Sequence, residues 1–130
     1  MFLVDSSAWI EYLRQNGSPK VKARVREILQ KEDAASCGVV VVEILRGAKN
    51  ERDFRALSAS LQSLPQLAID AAAIERAARW GSVLDRRGRV VPTTDLLIAA
   101  AAFKRATLLH IDSDLDILAS EFGLEQEKIV

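Results

Sequence analysis

Carboxylates stand in this chain where the hydrophobic pattern leaves no room for them. Asp5 ends the apolar run Met1-Phe2-Leu3-Val4. Glu43 sits between Val39-Val40-Val41-Val42 and Ile44-Leu45, and Asp95 opens Leu96-Leu97-Ile98-Ala99-Ala100-Ala101-Ala102. Asp112 and Asp114 follow Thr107-Leu108-Leu109-His110-Ile111. A lone buried carboxylate is strongly disfavoured unless it is paired or coordinates a metal. Few basic residues neighbour these positions, so one shared cation is the most economical partner. The pattern predicts a divalent-metal site and a small metal-dependent enzyme.

At 130 residues the chain is long enough for a real core, and it reads as a single domain spanning 1–130. Its hydrophobic fraction of 49% predicts a folded globular protein. No apolar run approaches the length of a membrane helix, which is roughly 18 residues or more. Met1–Val4 reads as a strand rather than a leader, which predicts a cytoplasmic protein without a membrane partner. Cys37 is alone, so neither a disulfide frame nor a thiolate metal cluster is expected.

The net charge is zero, but its distribution is uneven. Residues 106–130 hold six acids and one base, leaving the first 105 residues basic. Clusters at Lys20-Lys22-Arg24-Arg26, Arg46-Lys49-Arg52-Arg55 and Arg86-Arg87-Arg89 fit phosphate contacts, and equally fit solvated helix faces.

Strand and helix signals alternate, which predicts an α/β fold with a central, mainly parallel sheet of four to five strands flanked by helices. Met1–Val4, Ala34–Cys37, Leu67–Ile69 and Thr107–Ile111 read as strands. Helices are expected from about Ser6, over Val21–Leu29, over Val39–Ala48, through Phe54–Leu64, and over a stripe of Ile74, Ala78, Gly81 and Leu84. Thr93 or Thr94 would cap a helix opening at Asp95. Ser113 and Asp116 fit a capping box for a last short helix.

In open parallel sheets, ligands bind outside the carboxyl ends of the strands. Asp5 and Asp112 follow strands, and Asp95 opens a helix, so all three belong on that edge. Glu43 projects from a helix that otherwise wants burial. Oxygen donors at this density suit Mg²⁺ or Mn²⁺, while a single histidine and a single cysteine argue against zinc. Each acid also has a local role open to it. Asp5 fits an N-cap, Asp95 a helix-dipole partner, Glu43 an ion pair with Arg46, and Asp114 the first turn of the last helix. No nucleophile–histidine set and no Gly-rich phosphate loop is present.

These residues carry a family resemblance. Met1-Phe2-Leu3-Val4-Asp5-Ser6-Ser7-Ala8-Trp9-Ile10 resembles the opening of a PIN domain of the VapC toxin type. Val42-Glu43-Ile44-Leu45-Arg46-Gly47, Thr94-Asp95-Leu96-Leu97-Ile98-Ala99-Ala100-Ala101 and Leu108–Asp116 are similar to its later motifs, in order and nearly along the whole chain. The resemblance implies a PIN fold and a Mg²⁺-dependent ribonuclease, usually the toxin of a toxin–antitoxin pair. It implies Asp5, Glu43 and Asp95 as the acidic site, completed by Asp112 or Asp114, with Asp112 favoured because it lies nearest the strand end. Ser7 is a weaker candidate for orienting a ligand, and Arg46, Arg86 and Arg87 for holding RNA. An antitoxin and a second copy of the chain are the implied protein partners, with Trp9, Phe54 and Trp80 as candidate sticky side chains. Two other classes compete. Phosphatase or phosphotransfer domains also place acids at strand ends, but Ser7 stands where a second acid would be needed. A PIN-like module that binds RNA or protein without cutting would have no use for the intact acid set.

Overall fold

The computed structural model describes all residues, 1–130. The order is β1 (Phe2–Val4), α1 (Ser6–Leu13), α2 (Pro19–Gln30), β2 (Ala34–Ala35), α3 (Gly38–Leu45), α4 (Glu51–Gln62), α5 (Ala71–Arg86), α6 (Thr93–Ala102), β3 (Thr107–His110), α7 (Ser113–Phe122) and β4 (Gln126–Lys128). The four strands form one parallel sheet in the order β2-β1-β3-β4. The chain leaves β1 toward β2 on one side and returns to β3 on the other. The carboxyl ends of β1 and β3 therefore form the switch point at which such sheets hold ligands.

Leu3, Val4, Leu108 and Leu109 are fully buried, as expected for central strands covered on both faces. Ser18 caps α2 by accepting the Val21 N–H, and Pro19 occupies its first turn. The four valines of α3 favour a strand by propensity, yet they lie in a helix. Val40 and Ile44 sink into the core one turn apart, and tertiary burial outweighs a propensity difference of less than about 1 kcal/mol. Gly123 ends α7 at φ 71°, a conformation that favours glycine.

Several local expectations are corrected. Leu67–Ile69 is not a strand. Its contact with the sheet is a single bridge between Ser36 and Gln66, because β2 is only two residues long. The strand at the opposite edge, β4, carries no apolar pattern: it reads Gln126-Glu127-Lys128, with Gln126 and Lys128 exposed. Helix α6 begins at Thr93 behind Pro92, and neither threonine caps it. Helix α7 is capped by Asp112, not by Ser113. In α5 the buried stripe is Ala73, Ala77, Trp80, Gly81 and Leu84, while Ile74 and Ala78 face out. Trp9 and Trp80 are buried too. Trp80 stacks on Phe122 at 4.9 Å and meets Phe103 edge-on, whereas Phe54 is exposed.

The turn between α1 and α2 is as tight as the core. A Cβ on Gly17 would lie 1.8 Å from the Glu11 carbonyl oxygen. Gly17→Ala is expected to lower stability by about 1–3 kcal/mol, read as a shifted urea midpoint at unchanged slope.

Candidate active site

Asp5 is the first residue past β1, and its backbone N–H continues the ladder to the Leu109 carbonyl at 2.9 Å. Its side chain then splits its work. Oδ2 caps α1 by accepting the Ser7 N–H at 3.0 Å, while Oδ1 is buried with no hydrogen-bond partner. The capping role and the call for a cation thus coexist in one carboxylate. Burial raises the Asp5 carboxyl above its ordinary range, opposed by hydrogen bonds from Ser7, with the Asp112 charge adding to the rise.

Asp95 lies in the first turn of α6 and is buried. Burial, then the charges of Asp112, Asp5, Asp114 and Glu43, push its carboxyl up to about 7. Carboxylate oxygens of Asp95, Asp112 and Asp114 all lie within 4.8 Å of one another. Asp112 accepts the Asp114 N–H through Oδ1 at 2.9 Å, which caps α7 and holds both acids in one turn. Glu43 of α3 stands outside that trio, acting on Asp95 through its charge; it accepts the Ser6 hydroxyl at 2.8 Å, so it pairs with Ser6 rather than Arg46. None of the molecule's ion pairs involves any of these five acids.

The remaining candidates divide. The Ser7 hydroxyl oxygen accepts the Ile111 N–H at 3.2 Å, bracing the β1 and β3 ends against each other. Arg46 is exposed at the end of α3, one turn from Glu43. Arg86 lines an apolar groove between α5 and α6 together with Thr93, near the start of the helix that carries Asp95. Arg87 is engaged with Glu121 at 2.5 Å. Ser6 had no signal of its own in the sequence, because nothing there shows which residue faces Glu43.

Could a cation fit here? An orphaned buried carboxylate oxygen together with three clustered acids, all oxygen donors and none in an ion pair, is the donor set a hard divalent ion takes. The only histidine, His110, turns both ring nitrogens to protein partners.

Without metal these charges oppose folding. A carboxyl whose folded value lies above its unfolded one binds protons more tightly when folded, so its share of stability is complete at low pH and is lost as pH rises. For Asp95 that loss runs from about 3.8 to about 7. Asp95→Asn removes it. The melting-temperature advantage of this variant over the parent, both in chelator, is expected to widen across that window and then level off. Saturating Mn²⁺ should shrink it. An advantage independent of pH would count against the clustered charges.

The chain is similar to known proteins along nearly its whole length. The family model of the PIN domain matches residues 2–121. A VapC ribonuclease of Mycobacterium bovis is 38% identical over 96% of both chains, and Ribonuclease VapC18 of Mycobacterium tuberculosis is 33% identical over 100% of this chain and 96% of its own length. The fold is similar to that of VapBC2 from Rickettsia felis, with TM-score 0.76 at 16% identity over 99% of this chain and 98% of that one. It is also similar to VapBC-5 from Mycobacterium tuberculosis, with TM-score 0.71 at 22% identity over 98% and 97%. Matched in sequence from β1 through α7, this chain belongs to the PIN domain family, within its VapC branch.

Proposed function

We propose that this protein is a Mg²⁺-dependent endoribonuclease, with Mn²⁺ able to substitute, and that it is the toxin of a toxin–antitoxin pair. The observation that carries the reading is the orphaned Oδ1 of Asp5 at the sheet's switch point, beside acids that have no cationic partner. The ribonuclease names of its sequence relatives support the substrate class.

Asp5, Glu43, Asp95, Asp112 and Asp114 would hold the metal. Bound there, a divalent cation supplies Lewis-acid polarisation of the phosphate and a water of lowered pKa. The chain's own residues set the geometry. The Asp5 N–H bond to Leu109 and the Ser7 bond to Ile111 lock the two strand ends, so acids from β1 and α7 keep their spacing. Ser6 orients Glu43, and Asp112 holds Asp114. Arg46 and Arg86, exposed and free of ion pairs, would bind flanking phosphates. Arg87 is less suited, because Glu121 occupies it. Water attacks phosphorus in line, a new P–O bond forms, and the P–O3′ bond breaks. The products are a 5′-phosphate and a 3′-hydroxyl that takes up the proton.

The antitoxin part of the reading rests on surface chemistry. Ile10 and Leu13 of α1, Val42 of α3 and Phe54 of α4 are exposed apolar side chains on mutually packed early helices. An amphipathic helix of the antitoxin fits such a face. A second copy of the chain completes the proposed assembly.

Asp5→Asn and Asp95→Asn are expected to lower RNA cleavage by about 10²-fold or more while the circular-dichroism spectrum stays native. EDTA should abolish cleavage, and Mg²⁺ or Mn²⁺ restore it. Full activity in excess chelator, or in Asp95→Asn, would end the metal reading.

Expression from the native locus should also recover a small partner protein, with a complex larger than one copy by light scattering. Polar replacement of Ile10 and Leu13 should release that partner and leave cleavage intact. Retention of the partner by that variant would move the interface elsewhere.

A further inference from the structure

His110 ends β3 and is fully buried, yet no step of the proposed chemistry uses it. Its Nδ1 accepts the Asp112 N–H at 3.1 Å, and its Nε2 lies 2.6 Å from Gln126 Oε1. An imidazole with its proton on Nε2 satisfies both contacts. With the proton on Nδ1, two N–H groups would face each other. Gln126 completes the direction of the relay. Its Oε1 can only accept, so the imidazole donates through Nε2; Asp116 Oδ1 lies 3.9 Å from the same nitrogen, and Asp116 is held by Lys128 at 2.5 Å.

The relay therefore runs from β4 through the imidazole to the backbone between β3 and α7. That backbone carries Asp112, whose Oδ1 holds Asp114. β4 is anchored independently, since Arg24 of α2 grips Glu127 through two bonds of 2.7 and 2.9 Å. Groups that orient metal-binding side chains from behind commonly change metal affinity about 10–100-fold when lost.

We propose that His110 is a positioning residue for the acidic site, and that β4, acting through Gln126 and the imidazole, sets the placement of Asp112 and Asp114. The inference rests on the reading of those acids as cation ligands.

Mn²⁺ titration of the purified full-length protein, followed by the resonance of the free ion, tests it. Two variants carry the contrast. Asparagine's Oδ1 sits near the Nδ1 position, so His110→Asn keeps an acceptor for the Asp112 N–H, whereas His110→Leu keeps none. His110→Leu is expected to weaken Mn²⁺ binding about 10–100-fold, and His110→Asn to recover part of the loss. Equal loss in both would make the histidine a packing residue and overturn the proposal.

Gln126 is exposed, so Gln126→Leu spares the core and decides the matter if His110→Leu does not fold. It should weaken Mn²⁺ severalfold. In the metal-free protein it should also shift the Asp112 and Asp114 amide resonances while distant amides stay in place. Parental affinity together with unmoved amides would overturn the relay. Failure of the underlying reading looks different: the parent protein would bind no Mn²⁺, or Asp95→Asn would bind it as tightly as the parent, and the proposal would fall with the site.

Discussion

The parallel pairing of β1 with β3 is the constraint on which the rest of the molecule depends. Sequence-distant strands lie side by side in register, Val4 against Leu109, and the ladder runs one residue further through the Asp5 N–H. Closing so long a loop is entropically costly, and buried leucine and valine on both strands offset it. Once the pair exists, β2 and β4 add to its outer edges, and the helices that connect them must cover the two faces. The same pairing brings the ends of β1 and β3 to one point, where Asp5 and the Asp112–Asp114 turn meet. Helix α6, packed tightly on α5 and running into β3, delivers Asp95 from its first turn.

That convergence sets stability against function. The backbone groups at the site are well satisfied: the Asp5 N–H by Leu109, the Ile111 N–H by Ser7, the Asp112 N–H by His110 and the Asp114 N–H by Asp112. Among the carboxylates, Oδ1 of Asp5 has no partner, and burial, joined by neighbouring negative charge, raises the Asp5 and Asp95 carboxyls. A frame so completely hydrogen-bonded can hold like charges together without relaxing. Rigid backbone beneath unsatisfied side chains is the arrangement of a preorganised ion site. Elsewhere the molecule avoids the conflict. Arg24–Glu127, Arg105–Asp70 and Lys128–Asp116 pair their charges at the surface.

Sequence alone determined the class of fold, because apolar strands alternating with helical stripes admit few arrangements other than a helix-covered parallel sheet. It singled out five acids because each interrupts or ends an apolar run; the structure buries Asp5 and Asp95 and brings Asp95, Asp112 and Asp114 together. It also placed α1, α2 and α4 closely, where turn residues and caps are local signals. Tertiary structure alone decided what depends on residues far apart in the chain. The polar strand β4 is invisible to a pattern built on hydrophobicity, since an edge strand needs only backbone bonds to form. The phase of α5 was hidden by its many alanines, which suit either face. Sequence favoured Asp112 over Asp114, but the structure brings both to Asp95, since they lie in one capped turn. Ser6 beside Glu43 and Gln126 beside His110 had no mark in the sequence. Local chemistry is written in neighbouring residues, but which side chains share a hydrogen bond across the sheet is fixed only when the strands pair.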